Sequence, residues 1–273
     1  MNANPRPLLV LLLAEDGIFE PSKIWSVLHR QRGEFDLVLL DRSGGATKTP
    51  KPMQEAAVKT VVVGPGGLGK AVNSLCAERQ NGVLAFTSDR VCPTHEHWLK
   101  RLCEPLWTGK AEAAFGRQAP SPGGNHFFNH DLEVNYPADG DRADRSFFSM
   151  DNCAVTREAL LKRPFPEVFT YDPAAVWLAA NDVSPVYRPS AVVMRYTLLT
   201  LRGIYEESRG RGMDLSAAGS PSPSLARETV ELLRGIWTDL VFAASIKKPQ
   251  YAWYPPFRRF AMHFGHYQGA GKK

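Results

Sequence analysis

Residues 80–93 read QNGVLAFTSDRVCP, and this stretch decides the predicted fold. The apolar run Val83–Phe86 follows an Asn-Gly turn signal, a pattern typical of a buried strand in an α/β sheet. Thr87, Ser88 and Asp89 come directly after it. Because open α/β sheets bind ligands beyond the carboxyl ends of their strands, Asp89 is expected at the mouth of a site. An acid there can hold a divalent cation that bridges phosphate oxygens, although Asp89 is equally suited to capping the helix expected near Thr94.

The remaining chain continues an alternation of strands and helices. Apolar or β-branched runs predict strands at 7–13, 35–40, 60–63, 111–115 and 190–193, and helical patterns occur at 21–31, 68–79, 94–106, 156–161 and from Asp172 onward. Residues 120–145 are polar and read as a long loop without regular structure. This rhythm predicts an α/β fold with an open, mostly parallel sheet flanked by helices.

Composition narrows the class of protein. The 273 residues suffice for one large domain, or one domain with an appendage, and the net charge of +5 suits anionic ligands or surfaces. The charges are dispersed, so nucleic acid is not favoured. Four cysteines without a CxxC pair indicate a reducing compartment. The first apolar run is too short to span a bilayer and is followed by Glu15 and Asp16, which predicts a cytoplasmic protein.

The C-terminal part has a different character. Residues 196–211 read as a basic helix, and 219–224 as a Ser/Pro linker. An amphipathic helix follows, with its apolar face formed by Ala226, Val230, Leu233, Trp237, Leu240 and Ala244. The aromatic and arginine-rich tail at 251–259 fits a membrane surface, a homodimer contact or packing back onto the domain, and packing back is the default expectation. We predict a domain at 1–213, a linker at 214–224 and a helical extension at 225–273.

Several segments match one known family in order and spacing. They are FDLVLLDRS at 35–43, GKAVN at 69–73, FTSD at 86–89, FGRQAPSP at 115–122, FSMDNCAVTREAL at 148–160 followed by PFPE at 164–167, and YRPSAVV at 187–193. In this order they resemble the family-2 glycosyltransferases of GT-A fold, especially the rhamnosyltransferase-like branch. The resemblance covers residues 7–213, and no single motif in it is specific.

The resemblance implies an enzyme that transfers a sugar, with inversion, from a nucleotide-diphosphate donor to an acceptor hydroxyl. A hexosyltransferase acting in bacterial surface polysaccharide or glycoconjugate synthesis would use such chemistry, with a glycan or lipid-linked acceptor. The location implied is the cytoplasm, at or near the inner face of the membrane. By position relative to Tyr187, Asp172 matches the catalytic base, and a helix N-cap is its alternative role.

The same resemblance assigns the remaining site residues. Asp89 would bind Mg²⁺ or Mn²⁺. The donor-binding residues would be Glu15, Asp41, Arg42, Asn73, Ser88, Asp89 and Arg195, and the acceptor-binding residues Gln118 and Asn152. The chain departs from the family pattern at five positions, namely Val72, Thr87, Tyr171, Val183 and Arg195. Since a metal ligand is lost at Thr87 and a guanidinium is gained at Arg195, we hypothesise that Arg195 holds the diphosphate and makes the metal weak or dispensable.

Two alternatives remain open from the sequence. One is a nucleotidyltransferase of related fold, which residues 67–70 and 86–93 faintly resemble. Against this alternative, the first strand of this chain ends in Ala-Glu-Asp-Gly, without the Gly/Lys-rich nucleotide loop that those enzymes carry there. The other is a catalytically degenerate GT-A domain that binds or scaffolds, which the five departures favour.

Overall fold

The computed structural model describes residues 7–13, 21–42, 51–56, 58–64, 67–140, 145–167, 171–196, 200–219 and 224–271. The chain forms two compact units. The first comprises Met1–Gly124, Phe128–Phe169 and Pro173–Thr197, and the second comprises Asn125–Phe127, Thr170–Asp172 and Leu198–Lys273.

One sheet organises the first unit. Its strands are β1 (Leu8–Leu13), β2 (Asp36–Asp41), β3 (Lys59–Val62), β4 (Val83–Ser88), β5 (Val91–Pro93), β6 (Ala113–Pro120), β7 (Asn152–Thr156) and β8 (Val186–Arg195). They lie in the order β3-β2-β1-β4-β7-β6-β8-β5. Strands β3, β2, β1 and β4 are parallel, whereas β7 runs antiparallel to both of its neighbours. Strand β8 is parallel to β6 and antiparallel to β5. The predicted open, mostly parallel sheet is confirmed.

Apolar side chains cover both faces of the sheet. In β4, Leu84 and Phe86 belong to one buried cluster, while Val83 and Ala85 belong to the cluster on the opposite face. A strand buried on both sides needs apolar residues at consecutive positions, which explains the continuous run in the sequence.

Helices flank the sheet at α1 (Pro21–Leu28), α2 (Lys51–Glu55), α3 (Leu68–Glu78), α4 (Trp98–Trp107), α5 (His126–Asn135), α6 (Arg157–Lys162) and α7 (Pro173–Ala180). Helix α5 corrects the prediction of a structureless loop at 120–145. The Asn125 side chain accepts the backbone N–H of Phe127, as a helix cap does, and Leu132 and Tyr136 join the buried core. The polar composition of this segment conceals a helix that buries only a few apolar side chains.

The second unit is built on α8 (Leu201–Ala217), α9 (Leu225–Ser245) and α10 (Tyr254–Ala270). Helices α8 and α10 touch through their backbones. A Cβ added to Gly212 would lie 2.3 Å from the His266 carbonyl oxygen, and one added to Gly269 would lie 2.0 Å from that of Arg209. Residues 214–217, which the sequence predicts as part of the linker, finish α8, and α8 groups with the C-terminal unit. Helix α9 begins at Leu225, the predicted first residue of the extension. None of the described helices combines the length and apolarity needed to cross a bilayer.

Candidate active site

The carboxyl ends of three neighbouring strands bring two buried aspartates to one edge of the sheet. Asp41, the last residue of β2, pairs in register with Leu13 of β1, and Ser88, the last residue of β4, pairs with Leu12. Asp41 and Asp89 therefore flank the end of β1, with their backbones roughly 10 Å apart, two strand spacings. Asp41 is 1% exposed and Asp89 is 3% exposed. Acids at this edge are suited to contacts with a ligand beyond the strand ends.

The residues beside these aspartates differ in whether their side chains can contact a ligand. Arg42 is half-buried directly after Asp41, whereas Glu15 lies outside the described residues. Thr87 is fully buried and pairs in register with Asn152 inside the sheet. Thr87 Oγ1 is enclosed and accepts no hydrogen bond from the part of the chain that the structure describes. Thr87 therefore offers no ligand in place of the acid that the family carries there.

A buried ion pair lies beside the end of β4. Arg195, at the end of β8, places one guanidinium nitrogen 2.7 Å from Asp151 Oδ2 and 2.6 Å from the Gln118 side-chain oxygen. Ser88 Oγ donates to Asp151 Oδ1 at 2.5 Å, and the Gln118 amide donates to the Tyr136 hydroxyl at 3.0 Å. The side chains of Arg195 and Asp151 are 5% and 18% exposed. The network thus ties the ends of β4, β6 and β8 together.

This network engages three side chains for which the sequence predicts ligand contacts, namely Ser88, Gln118 and Arg195. The charge of Arg195 faces Asp151, so the geometry does not support a guanidinium gripping a diphosphate in place of a metal. The Ser88 hydroxyl is engaged with Asp151, and the Gln118 amide is 2% exposed and bonded to protein groups at both ends. All three act in holding the site together.

Asp151 is a residue that the sequence interpretation does not single out. It lies in the segment 148–160 that resembles the family, one position before Asn152. A buried cation requires a compensating charge. The unexpected arginine at 195 is therefore the signal in the sequence that an acid in one of the matched motifs, such as Asp151, lies beside it.

Asn152 is also structural, in contrast to its predicted acceptor-binding role. Its side-chain oxygen accepts from the Trp98 indole at 3.0 Å, and its amide nitrogen donates to the carbonyls of Arg117 and Ala191 at 3.1 Å each. The residue is 1% exposed. Gly116 permits this arrangement, since an added Cβ there would lie 2.5 Å from the Asn152 amide nitrogen. Both N–H groups of the Asn152 amide and one lone pair of its oxygen are thus used within the buried protein interior.

The motif GKAVN at 69–73 forms a docking point for the chain at Phe165. Asn73 donates to the Phe165 carbonyl and accepts from its N–H, both at 2.9 Å. Gly69 lies one turn earlier on the same face, and a Cβ there would lie 1.9 Å from the Pro166 carbonyl oxygen. The Phe165 ring contacts those of Phe86 and Trp177. The geometry replaces the predicted nucleotide contact of Asn73 with a role in fixing this loop.

We expect Asn73→Ala to lower the free energy of unfolding by about 1–3 kcal/mol, because two backbone groups of Phe165 lose their partner. Urea denaturation measures this effect. Ser74→Ala, at an exposed position of the same helix, is the matched control and should change stability by less than about 0.5 kcal/mol. Unchanged stability in Asn73→Ala together with lost nucleotide binding would return Asn73 to a ligand-binding role.

Within the second unit, a buried carboxylate holds the backbone at Asp172. Asp214 of α8 accepts the N–H of Tyr171 at 2.6 Å through Oδ1 and that of Asp172 at 2.8 Å through Oδ2. Tyr171 packs against α8 at Gly210, where an added Cβ would lie 2.7 Å from its ring. Asp214 is 3% exposed, and burial, assisted by the charge of Asp172, raises its pKa to about 7.

The sequence does not single out Asp214, which lies one residue beyond the predicted domain boundary. The residues around it have the pattern of an ordinary amphipathic helix, so nothing nearby indicates a buried carboxylate. Asp172, in contrast, remains half-buried directly before α7, whose first residue is Pro173. Its backbone is fixed while its side chain retains access to solvent, the combination that a general base requires.

The described residues contain no group of three or more His, Cys, Asp or Glu side chains arranged as metal ligands. Asp151 is compensated by Arg195, which leaves Asp89 as the carboxylate at the end of β4. A single carboxylate fits Mg²⁺ or Mn²⁺ only where phosphate oxygens and water complete the coordination. The donor set therefore fits a metal shared with a bound diphosphate.

Comparison with solved structures identifies the architecture. The first of the similar structures is a mannosyltransferase from Pyrobaculum calidifontis in complex with GDP-Man and Mn²⁺, with a TM-score of 0.60 and 14% identity. The match covers 98% of this chain and 87% of that one. The fold is that of the GT-A glycosyltransferases. Both the sheet and the helical C-terminal region have counterparts among these GT-A structures.

Two further structures show the same fold. S. aureus TarS in complex with UDP matches with a TM-score of 0.52 and 11% identity, over 94% of this chain and 90% of that one. Glucosyl-3-phosphoglycerate synthase from Mycobacterium tuberculosis, in complex with Mn²⁺, UDP-glucose and phosphoglyceric acid, matches with a TM-score of 0.52 and 20% identity. That match covers 79% of this chain and 81% of the synthase. No family model and no curated protein sequence matches the chain.

Proposed function

We propose that this protein transfers a sugar from a nucleotide-diphosphate donor to an acceptor hydroxyl, with inversion at the anomeric carbon. The observation that carries the proposal is the pair of buried aspartates, Asp41 and Asp89, on either side of the end of β1 in a GT-A fold. The similar structures were determined with GDP-mannose, UDP or UDP-glucose bound, which supports a nucleotide-sugar donor here.

The donor site is proposed at this edge of the sheet. Asp41 and Arg42 contact the nucleotide, and Asp89 holds Mg²⁺ or Mn²⁺ against the diphosphate. When bound, the metal supplies positive charge that stabilises the departing nucleoside diphosphate. The residues of the Arg195–Asp151 network keep the strand ends in position around that site.

Asp172 is the proposed general base, taking the proton of the acceptor hydroxyl. Asp214 is a positioning residue, since its carboxylate holds the backbone N–H groups of Tyr171 and Asp172. With both groups bonded, the backbone at Tyr171 and Asp172 is held against α8.

The finer assignments are also proposals. The order of the six matched segments supports a rhamnosyltransferase-like hexosyltransferase, and such enzymes build bacterial surface polysaccharides or glycoconjugates on glycan or lipid-linked acceptors. A second candidate is a GT-A domain that binds a nucleotide sugar or glycan without turnover. Two observations favour it. Thr87 stands in place of the first acid of the family's Asp-x-Asp motif and its hydroxyl is enclosed, and the charge of nearby Asp151 is compensated by Arg195. Asp89 is then the one acid left at a position where the family has two.

Release of nucleoside diphosphate by purified protein tests the proposal. The protein is incubated with GDP-, UDP- and dTDP-sugars, with Mn²⁺ or Mg²⁺, and with and without simple saccharide acceptors. Transfer or slow donor hydrolysis that disappears in Asp172→Asn supports the enzyme, and the anomeric coupling constant of the product reports inversion. Binding without release under all these conditions favours the second candidate.

We expect the pH dependence of stability to carry the signature of Asp214. Its native pKa of about 7 lies above its ordinary value of 3.8, so the native state binds more protons between those pH values and stability falls as pH rises through them. Relative to Asp214→Asn, the native protein should lose on the order of 2–4 kcal/mol of unfolding free energy between pH 4.5 and 7.5. Histidines shared by both proteins cancel in this difference. Parallel pH curves would contradict the assignment.

A further inference from the structure

Helix α9 exposes large apolar side chains and buries acidic ones. Its apolar stripe, Val230, Leu233, Trp237 and Val241, is exposed, with Trp237 at 69% and Leu233 at 61%. Two of its acids, Glu228 and Asp239, face the neighbouring helix instead. Asp239 is fully buried against Arg258 and Arg259 of α10, at 2.8 Å from Arg258, and Glu228 contacts His263 at 2.8 Å and His266 at 3.2 Å.

The contact with α10 explains why an acidic side of α9 is buried. Asp239 and Glu228 form their ion pairs on the side of α9 that contacts α10, whereas Val230, Leu233, Trp237 and Val241 are exposed. The sequence predicts an amphipathic helix here, and the structure leaves Val230, Leu233 and Trp237 of its apolar face exposed. A continuous apolar stripe of four large side chains on a surface marks an interaction site.

The charges that flank the stripe indicate what covers it. Arg227 and Arg234 lie along one side of the stripe on the helix surface, both exposed, and Lys247 is exposed in the turn after α9. Glu231 is exposed about one further position around the helix, farther from the stripe. An apolar stripe containing tryptophan and bordered by arginine is typical of a helix lying in the plane of a membrane interface.

A second copy of the chain is a poorer fit to these charges. The stripe repeats at three- and four-residue spacing, as a coiled-coil seam does, with Arg227 and Arg234 at the flanking positions that choose a partner. The opposite flank carries Thr229 and Ile236, so a paired copy supplies no acid to those arginines. Anionic lipid headgroups supply the missing charge.

We infer that the exposed stripe of α9 docks the protein on an anionic lipid surface. Trp237, Leu233 and their neighbours enter the boundary between headgroups and acyl chains, while Arg227, Arg234 and Lys247 contact the headgroups. This inference does not depend on sugar transfer, because it rests on α9 alone.

Vesicle flotation tests it with the full chain. Binding is expected to vesicles of phosphatidylcholine containing 30% phosphatidylglycerol, to weaken in 0.5 M NaCl, and to be much lower on pure phosphatidylcholine. The double variant Leu233→Ser/Trp237→Ser should reduce binding on the order of tenfold or more. Because both positions are exposed, its melting temperature should match that of the parent protein. Val134→Ser, at an exposed apolar position of α5, is the control and should bind as the parent does.

Four outcomes would overturn the inference. They are no binding to either vesicle, equal binding to both, loss of binding only in Phe257→Ser/Phe260→Ser on the exposed aromatic side of α10, or a concentration-dependent dimer that Leu233→Ser/Trp237→Ser dissociates. The last result would assign the stripe to a second copy of the chain.

Discussion

Replacing Asp172 with asparagine is expected to lower the rate of sugar transfer by about 10²–10⁴-fold while leaving donor affinity within about twofold. Asparagine preserves the shape of the side chain and the backbone bonds to Asp214, but it cannot take a proton from an acceptor hydroxyl. The loss should therefore appear in kcat. Initial rates at saturating donor, together with a separate binding titration, measure the two quantities.

The matched control for this prediction is Asp182→Asn. Asp182 is an exposed acid just after α7, so its replacement removes the same charge near the other end of that helix without touching the proposed site. Transfer by this variant should remain within about twofold of the native rate. A fully active Asp172→Asn would remove Asp172 from the role of base, whatever the fate of the donor site.

Breaking the buried ion pair should produce the largest loss of stability. Arg195→Met is expected to lower the free energy of unfolding by about 3–5 kcal/mol, because it leaves the Asp151 carboxylate without its compensating charge. Arg195→Met/Asp151→Leu should recover much of this loss, since no uncompensated charge remains. The exposed pair Arg32–Glu96 supplies the control, and Arg32→Met should cost at most about 1 kcal/mol.

Urea denaturation of the parent protein, Arg195→Met, Asp151→Leu and the double variant gives the coupling between Arg195 and Asp151 directly. It also separates the two roles considered for Arg195. If Arg195→Met keeps its stability and loses donor binding, the guanidinium holds a diphosphate and the assignment drawn from the geometry is wrong. If stability falls and chelators abolish activity, a metal ion at Asp89, rather than Arg195, neutralises the charge of the diphosphate.

The parts of the fold that the sequence predicts are those that depend on local patterns. A continuous apolar run identifies β4 because both of its faces are buried, and the polar residues after it mark the carboxyl edge of the sheet. The same reasoning predicts Asp89 at that edge, and in the structure Asp89 directly follows Ser88, the last residue of β4. Thr156 likewise ends one strand and caps α6, with its hydroxyl accepting the Ala159 N–H.

The parts that the sequence does not predict depend on contacts between distant residues. Asn73 and Phe165 lie 92 positions apart, and nothing near Asn73 indicates a backbone partner rather than a nucleotide. Asp214 depends on a helix crossing, and Arg195 on an acid 44 positions earlier. Polar side chains at a predicted site can thus support the site from within, and only the packing of the folded chain distinguishes support from contact with a ligand.

Thermal denaturation with a panel of nucleotide sugars in the presence of Mn²⁺ tests the donor site most directly, because a ligand that binds the native state raises the melting temperature. The account predicts a concentration-dependent rise with at least one nucleotide sugar, reduced by chelator and absent in Asp89→Asn. No rise with any donor, or an equal rise in Asp89→Asn, would contradict a nucleotide-diphosphate site at the ends of β2 and β4.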